Sequence, residues 1–137
     1  MLFRSVRYST TGGSGLRNVQ PLFADLAAGG FAIAHNGNIS NAMTLRRDLV
    51  NKGAIFQSTS DTEVIIHLIA HSRANTFLAR VVDALNQVRG AFSVVMMTDD
   101  GIIAARDPHG LRPLCLGRFR SSWIVASETC EIGRAHV

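Results

Sequence analysis

The amino-acid sequence predicts an α+β fold in which helices pack on a sheet. Three observations support this class: short apolar runs typical of strands occur toward both ends of the chain, the middle has helical periodicity, and turn residues separate the segments. With 137 residues, of which 47% are hydrophobic, the chain can form one domain with a buried core.

Two strands are predicted before the helices. Residues 6–9 indicate the end of a strand, which a loop rich in Thr, Gly and Ser follows over residues 10–18. The glycines of that loop could cradle a phosphate, but no Gly-Lys-Ser/Thr follows them, so a flexible loop is the favoured interpretation. The second strand covers residues 31–35 and is predicted to break into a turn at residues 35–38 (His-Asn-Gly-Asn), because Asn and Gly tolerate positive φ.

A first helix follows that turn. Ser40 is expected to cap the helix, which ends near Lys52 with Gly53 as its stop. Leu45 and Leu49 have the i, i+4 spacing of a buried helical face. A short strand is predicted after this helix at residues 55–56.

Two more helices are predicted in the middle of the chain. Ser60 and Glu63 have the S-x-x-E spacing of a capping box, which predicts a helix whose apolar stripe is Val64, Ile65, Leu68 and Ile69. A third helix is predicted from Thr76 to Val88, and Gly90 ends it. Its expected buried residues are Leu78, Val81, Val82 and Leu85.

The last part of the chain has the pattern of an antiparallel meander. Strands are predicted at residues 91–97, 102–105, 114–116 and 123–126, with turns at Asp-Asp-Gly and Asp-Pro-His-Gly between them. The first and last of these strands lack clean polar alternation, which indicates that both of their faces are covered. A sandwich of sheets between helical layers would cover them.

Composition excludes several function classes. The net charge of +4 arises from 14 Lys+Arg and 10 Asp+Glu that are scattered along the chain, whereas a nucleic-acid interface requires a concentrated basic face. Cys115 and Cys130 lack CxxC spacing, so neither a zinc site nor a disulfide framework is indicated, and a reducing, cytoplasmic setting is expected. The sequence contains no apolar run long enough for a membrane span and no signal peptide.

Three separated segments carry candidate chemistry. Arg7 lies in a strand that leads into the glycine-rich loop, Asn36 and Gly37 follow the second strand, and Asp61 stands at the start of a helix. They offer a cation, an oxyanion binder and an anion. Structural alternatives stay open, because Arg7 could pair with a buried carboxylate and the helix macrodipole alone could stabilise Asp61. For the neighbouring His35, a buried core histidine is the favoured interpretation.

Two other groupings resemble functional sites. Glu63, His67 and His71 share one helical face and could be mistaken for metal ligands, but they lack the H-E-x-x-H order. Asp107 and His109 resemble an acid–base pair, although Asp-Pro favours a turn and the loop is interpreted as structural.

Five motifs together resemble a known family. They occupy residues 6–12 (VRYSTTG), 34–38 (AHNGN), 58–63 (STSDTE), 106–114 (RDPHGLRPL) and 126–130 (ASETC). Over residues 6–130 the chain is similar to the glutaminase domain of the amidophosphoribosyltransferase family, within the class II glutamine amidotransferases. The resemblance implies a four-layer αββα N-terminal-nucleophile hydrolase sandwich, here incomplete because the first strands are missing.

The resemblance also implies roles for individual residues. Arg7 would bind the α-carboxylate of glutamine, and Asp61 would bind the α-ammonium group. Asn36, through its side-chain amide, and Gly37, through its backbone N–H, would form the oxyanion hole. No metal site is implied in this part of the family's domain.

The family's nucleophile has no counterpart in this sequence. It is an N-terminal cysteine whose thiol attacks the carboxamide and whose α-amino group acts as base. The chain begins with Met1, and neither Cys115 nor Cys130 is a credible replacement. We therefore expect a central fragment that is inactive alone, with residues 1–5 and 131–137 as non-native ends.

In the intact protein, the resemblance implies that ammonia passes to a C-terminal phosphoribosyltransferase domain. There it would attack phosphoribosyl pyrophosphate to give 5-phosphoribosylamine, the first step of purine synthesis. Mg²⁺, and in some members an iron–sulfur cluster, would belong outside this fragment, and the intact enzyme would be a homo-oligomer. Two alternatives remain open: a glucosamine-6-phosphate synthase or asparagine synthetase type of amidotransferase, and a non-enzymatic amino-acid-binding module.

Overall fold

The computed structural model describes residues 16–132. The predicted strand at residues 6–9, Arg7 and the loop before Leu16 lie outside the described residues. The elements, in chain order, are β1 (Leu22–Leu26), β2 (Gly29–Ile39), α1 (Ala42–Asn51), α2 (Thr62–His71), α3 (Phe77–Gln87), β3 (Gly90–Thr98), β4 (Ile102–Arg106), β5 (Cys115–Phe119) and β6 (Ser122–Ala126). Short 3-10 turns cover Leu16–Asn18 and Thr129–Ile132.

The strands form two antiparallel sheets. β1, β2, β3 and β4 lie side by side in that order, and β5 pairs with β6 in a separate two-stranded sheet. The prediction of one continuous meander from β3 to β6 is therefore wrong. The loop after β4 separates the two sheets, because Asp107 is buried there and binds the backbone of the residues that follow it.

The second strand is longer than predicted. The turn predicted at residues 35–38 is wrong, since β2 continues to Ile39 and pairs with β3 along this stretch. Gly37 has a φ of +132° without leaving the strand. The real hairpin turn lies at residues 27–28, after β1, a strand that the sequence analysis missed although its side chains alternate between half-buried and exposed.

Side chains from one sheet face and from the three helices form the core. α2 lies between α1 and α3 and contacts β1 and β2. The fully buried members of this core include Phe31, Ile33, Val64, Ile65, Ile69, Val81, Val94 and Met96. The apolar stripe predicted for α2 is thus confirmed. None of the described helices has the length and hydropathy that crossing a membrane requires.

Several local predictions need correction. Ser40 does not cap α1, because its hydroxyl donates to the Arg89 carbonyl and the helix begins two residues later. Residues 55–56 form no strand, and Ile55 is 80% exposed. Gly53 does follow the end of α1 in a left-handed conformation, as predicted.

The buried face of α3 also differs from the prediction. Val81, Ala84 and the following Val88 are buried, whereas Leu78 and Val82 are exposed. At 3.6 residues per turn, Leu78 and Val82 lie about 60° and 100° around the helix from Val81, toward solvent.

We expect the core to depend on Ile65 far more than on Ile55. Ile65→Ala removes fully buried methyl groups and should lower the free energy of unfolding by about 2–5 kcal/mol. Ile55→Ala, the matched control at an exposed position, should change it by less than about 0.5 kcal/mol. Thermal unfolding of the full-length variants measures both, and equal melting temperatures would contradict this account of the core.

Candidate active site

The outer edge of β2 is open where β1 ends. β1 pairs with β2 only as far as the Leu22–Ile33 pair. Beyond that point, side chains occupy two N–H groups of the edge: His35 N–H donates to Gln20 Oε1 at 2.7 Å, and Ile39 N–H donates to Asp61 Oδ2 at 3.1 Å. Because N–H directions alternate along an extended strand, the N–H of Gly37, between these two residues, points to the same edge.

The partner strand supports this orientation of Gly37. Gly37 lies opposite Phe92 of β3, but Phe92 N–H donates to Asp107 Oδ2 and Phe92 C=O accepts from Asp107 N–H, on the side of β4. The Gly37–Phe92 pair is therefore a pair without mutual hydrogen bonds. The Gly37 N–H faces away from β3, into the gap between Gln20 and Asp61.

Only glycine fits at position 37. Its φ of +132° disfavours any L side chain, and a Cβ there would lie 2.1 Å from the Ala91 carbonyl oxygen and 2.9 Å from Phe92 Cα. Both contacts are with backbone, which cannot move without separating β2 from β3. The sequence signal of Asn-Gly thus marks close approach of strands and not a turn.

Asn36 lies on the other side of the strand from His35. Asn36 is exposed, whereas the side chain of His35 is only 1% exposed and lies beneath the helices. Alternation along the strand places the Asn36 amide on the exposed sheet face, next to the Gly37 N–H at the edge. The two predicted oxyanion donors are therefore neighbours: the Asn36 amide lies on the sheet face, and the Gly37 N–H points outward from the strand edge.

Asp61 binds the strand edge and does not cap α2. It is the residue before the helix, yet its carboxylate accepts no helix N–H bond. Oδ1 lies 3.3 Å from His35 Nδ1, and Oδ2 accepts from Ile39 N–H. Burial raises the pKa of this carboxyl, but the hydrogen bond and charge of His35, together with the Ile39 N–H, outweigh burial and hold the pKa below 3.8. Asp61 is thus an anion bound at Ile39, which lies two residues along β2 from Gly37.

A polar network surrounds His35. Nδ1 of His35 lies 3.3 Å from Thr62 Oγ1, and Gln20 Nε2 donates to the same hydroxyl at 3.3 Å. The burial of His35 agrees with the favoured interpretation of a core histidine. The sequence indicates no role for Gln20, which belongs to no motif, and none for Thr62, although Thr62 lies within the motif at residues 58–63.

Glu63 organises the loop before Asp61. Its carboxylate accepts from the N–H groups of Gln57 and Ser58 and from the Ser58 hydroxyl, at 2.8, 2.7 and 2.5 Å. The predicted capping box is therefore wrong, because Glu63 reaches residues further back than Ser60, whose hydroxyl instead accepts from Thr62 N–H. Burial raises the pKa of Glu63, but the bonds from Ser58 and Gln57 outweigh it, so the pKa is lowered.

Glu63 and His67 pair with each other, whereas the His71 imidazole binds backbone. The His67 ring packs on Phe56 with centroids 4.3 Å apart, and its Nε2 lies 3.7 Å from Glu63 Oε1. His71 Nδ1 instead lies 2.9 Å from the His67 carbonyl oxygen. Within residues 16–132, no three His, Cys, Asp or Glu side chains are grouped to hold a metal ion.

Asp107 has a structural role. Its carboxylate accepts from the N–H groups of Phe92, His109, Leu111 and Arg112. Burial raises the pKa of this carboxyl, but the backbone N–H groups outweigh burial and lower it. His109 contributes only its backbone N–H to the contact, so the structural interpretation of this loop is confirmed.

Neither cysteine lies on the β2 edge. Cys115 belongs to β5, where its Sγ is 3.9 Å from the Ser127 carbonyl oxygen. Cys130 is exposed in the final 3-10 turn, with Sγ 3.6 Å from Glu128 Oε2.

Comparison with known proteins gives consistent results. Residues 12–133 match the family model described as a glutamine amidotransferase domain. The chain is 56% identical over 126 residues to amidophosphoribosyltransferase of Rhizobium etli and 52% identical over 128 residues to amidophosphoribosyltransferase 2, chloroplastic, of Arabidopsis thaliana. These alignments cover 92% and 93% of this chain but 25% and 23% of the relatives, so the chain spans about a quarter of their length.

A solved structure resembles this chain in both fold and sequence. The glutamine phosphoribosylpyrophosphate amidotransferase from B. subtilis, complexed with ADP and GMP, superposes with a TM-score of 0.85 at 44% identity, over 92% of this chain and 27% of that one. The structural neighbours are N-terminal-nucleophile domains, which confirms the predicted fold class.

We expect alanine at position 37 to be far more damaging than alanine at position 29. Both glycines lie in β2 with positive φ, but a Cβ on Gly29 would meet nothing within 4 Å. Gly29→Ala should therefore cost about 1–3 kcal/mol from backbone strain alone. Gly37→Ala adds a clash with β3 and should lower the melting temperature of the full-length protein well beyond the Gly29→Ala value. Equal losses would show that the close approach at Gly37 is not required.

Acid should weaken the loop that Glu63 holds. The folded-state pKa of Glu63 lies below the ordinary value of 4.5, so the unfolded chain binds more protons between these two values. The stabilisation is complete above about pH 4.5 and is lost as the pH falls through the folded-state pKa. We expect Glu63→Gln to lower the melting temperature near neutral pH and to show a smaller further loss in acid than the parent protein. Exposed Glu128 supplies the control, Glu128→Gln, which should retain the parent's pH profile.

Proposed function

The chain belongs to the glutamine amidotransferase family, and we propose that residues 6–130 form part of the glutaminase domain of an amidophosphoribosyltransferase. This domain would release ammonia from glutamine, and the ammonia would convert phosphoribosyl pyrophosphate to 5-phosphoribosylamine in the first step of purine synthesis. The identity of 56% over 92% of the chain to a protein of that name carries the proposal. The relatives reported above favour it over a glucosamine-6-phosphate synthase or asparagine synthetase type of enzyme.

The groups at the edge of β2 support binding of two of the three polar parts of glutamine. Free glutamine carries an ammonium group, a carboxylate and a carboxamide. The Gly37 N–H and the Asn36 amide would bind the oxyanion that develops on the carboxamide, and Asp61 would bind the ammonium group. Two residues of extended strand span about 7 Å, a distance comparable to the length of an extended glutamine. Arg7 would bind the α-carboxylate.

The rest of the reaction would depend on other parts of the protein. We propose that the nucleophilic cysteine lies outside residues 1–137, since Cys115 and Cys130 both belong to the region of β5 and β6. The phosphoribosyl pyrophosphate site, its Mg²⁺ and any iron–sulfur cluster would belong to the part of the relatives' length that this chain does not span. We further propose a homo-oligomer in the cytoplasm.

Substitution of Asn36 tests the oxyanion role. In the full-length enzyme, Asn36→Ala should lower kcat for glutamine-dependent phosphoribosylamine formation by about 10²–10³-fold, because one donor to the developing oxyanion is lost. Formation from added ammonia should be unchanged, since ammonia bypasses glutamine hydrolysis.

Asn86 provides the matched control for this test. It is exposed on α3, and Asn86→Ala should leave both activities unchanged. Failure of the unsubstituted full-length enzyme to hydrolyse glutamine would refute the proposed function. Equal losses of the glutamine-dependent and ammonia-dependent activities in Asn36→Ala would refute the oxyanion role.

A further inference from the structure

His35 contacts the carboxylate proposed to bind substrate without occupying the substrate site itself. Its imidazole is buried beneath the helices, and its Nδ1 lies 3.3 Å from Asp61 Oδ1. We infer that His35 is a positioning residue that orients the Asp61 carboxylate toward the α-ammonium group of glutamine. This inference rests on the proposed function.

Both oxygens of Asp61 are held from the side of β2. His35 Nδ1 contacts Oδ1, and the Ile39 N–H donates to Oδ2. Two anchors on different oxygens fix the rotation of the carboxylate, which one anchor would leave free. A carboxylate can accept about four hydrogen bonds, so these contacts leave acceptor capacity for an ammonium group.

The imidazole has no evident value as core filling. Its Nε2 is buried and has no hydrogen-bond partner within residues 16–132. Burial of an unpaired polar atom is unfavourable, and an apolar side chain of similar size would fill the same space without this cost. What the imidazole adds to an apolar side chain is the contact that Nδ1 makes with Asp61 and Thr62.

His35 also joins the two halves of the proposed site. His35 lies two residues before Gly37, and its backbone N–H donates to Gln20 Oε1. Gln20 Nε2 in turn donates to the Thr62 hydroxyl, which lies beside His35 Nδ1. The same residue therefore fixes the strand that carries the oxyanion donor and the carboxylate that faces it. Displacement of His35 would disturb the spacing between ammonium and carboxamide binding groups.

The experiment measures a substrate preference in the full-length enzyme. The preference is the ratio of kcat/KM for hydrolysis of glutamine to kcat/KM for 4-carbamoylbutanoate, which lacks only the α-amino group. Asp61→Asn should reduce this ratio, and His35→Leu should reduce it about tenfold or more, mainly through the KM for glutamine. The double variant should show no further reduction beyond Asp61→Asn, because both changes act through one carboxylate.

Further variants separate positioning from folding. The amide nitrogen of asparagine takes roughly the place of imidazole Nδ1, so His35→Asn should keep most of the preference, whereas His35→Gln should lose it. These two variants decide the matter if His35→Leu fails to fold. His109→Leu, at an exposed histidine, is the matched control, and thermal unfolding followed by circular dichroism reports whether each variant is folded.

The outcomes are distinguishable. If Asp61→Asn reduces the preference but His35→Leu, or His35→Gln where the former does not fold, leaves it unchanged, the role of His35 is wrong while the proposed function stands. If Asp61→Asn itself leaves the preference unchanged, the ammonium role of Asp61 is wrong, and the positioning role of His35 is overturned with it.

Discussion

The pairing of β2 with β3 is the constraint on which the candidate site depends. Because Gly37 and Phe92 face each other without mutual hydrogen bonds, the Gly37 N–H is directed to the outer edge. β1 ends before it reaches that edge, so no strand covers the N–H group within residues 16–132. Within residues 16–132, a donor that would ordinarily be used inside a sheet thereby has no strand partner.

Buried and half-buried carboxylates position the segments around this edge. Asp61 binds the N–H of Ile39, Glu63 binds the loop before Asp61, and Asp107 binds the N–H groups that follow β4. For each of them burial raises the pKa, but the hydrogen bonds outweigh it, so all three stay ionised at neutral pH. An ionised carboxylate with several N–H donors fixes irregular backbone more firmly than apolar packing, because hydrogen bonds to charged groups are directional and strong. The order of the candidate site thus arises largely from charge, on Asp61 within the site and on Glu63 and Asp107 away from the proposed ligand.

The sequence predicted the fold class, the three helices and most strands, because hydrophobic periodicity reports burial directly. The sequence-based predictions were wrong where the same residues serve two different structural purposes. Asn-Gly tolerates positive φ in a turn, but at Gly37 the same freedom allows close contact with the Ala91 carbonyl. Ser60 and Glu63 have capping-box spacing, yet Glu63 binds Ser58 instead. Local spacing could not distinguish these outcomes, since the competing partners are set by tertiary contacts.

The site was predictable to a similar degree. Gly37 and Asp61 were identified from motifs, and the structure brings both to one strand edge, where Ile39 links them. The roles of Gln20 and Thr62 could not be predicted, even though Thr62 lies within a motif, because their hydrogen bonds exist only once β2 and α2 meet. His35 was recognised as buried, but burial alone does not reveal that its imidazole contacts Asp61. A motif therefore identifies groups that would meet a ligand, whereas the groups that hold them in place become visible only when the contacts between elements are known.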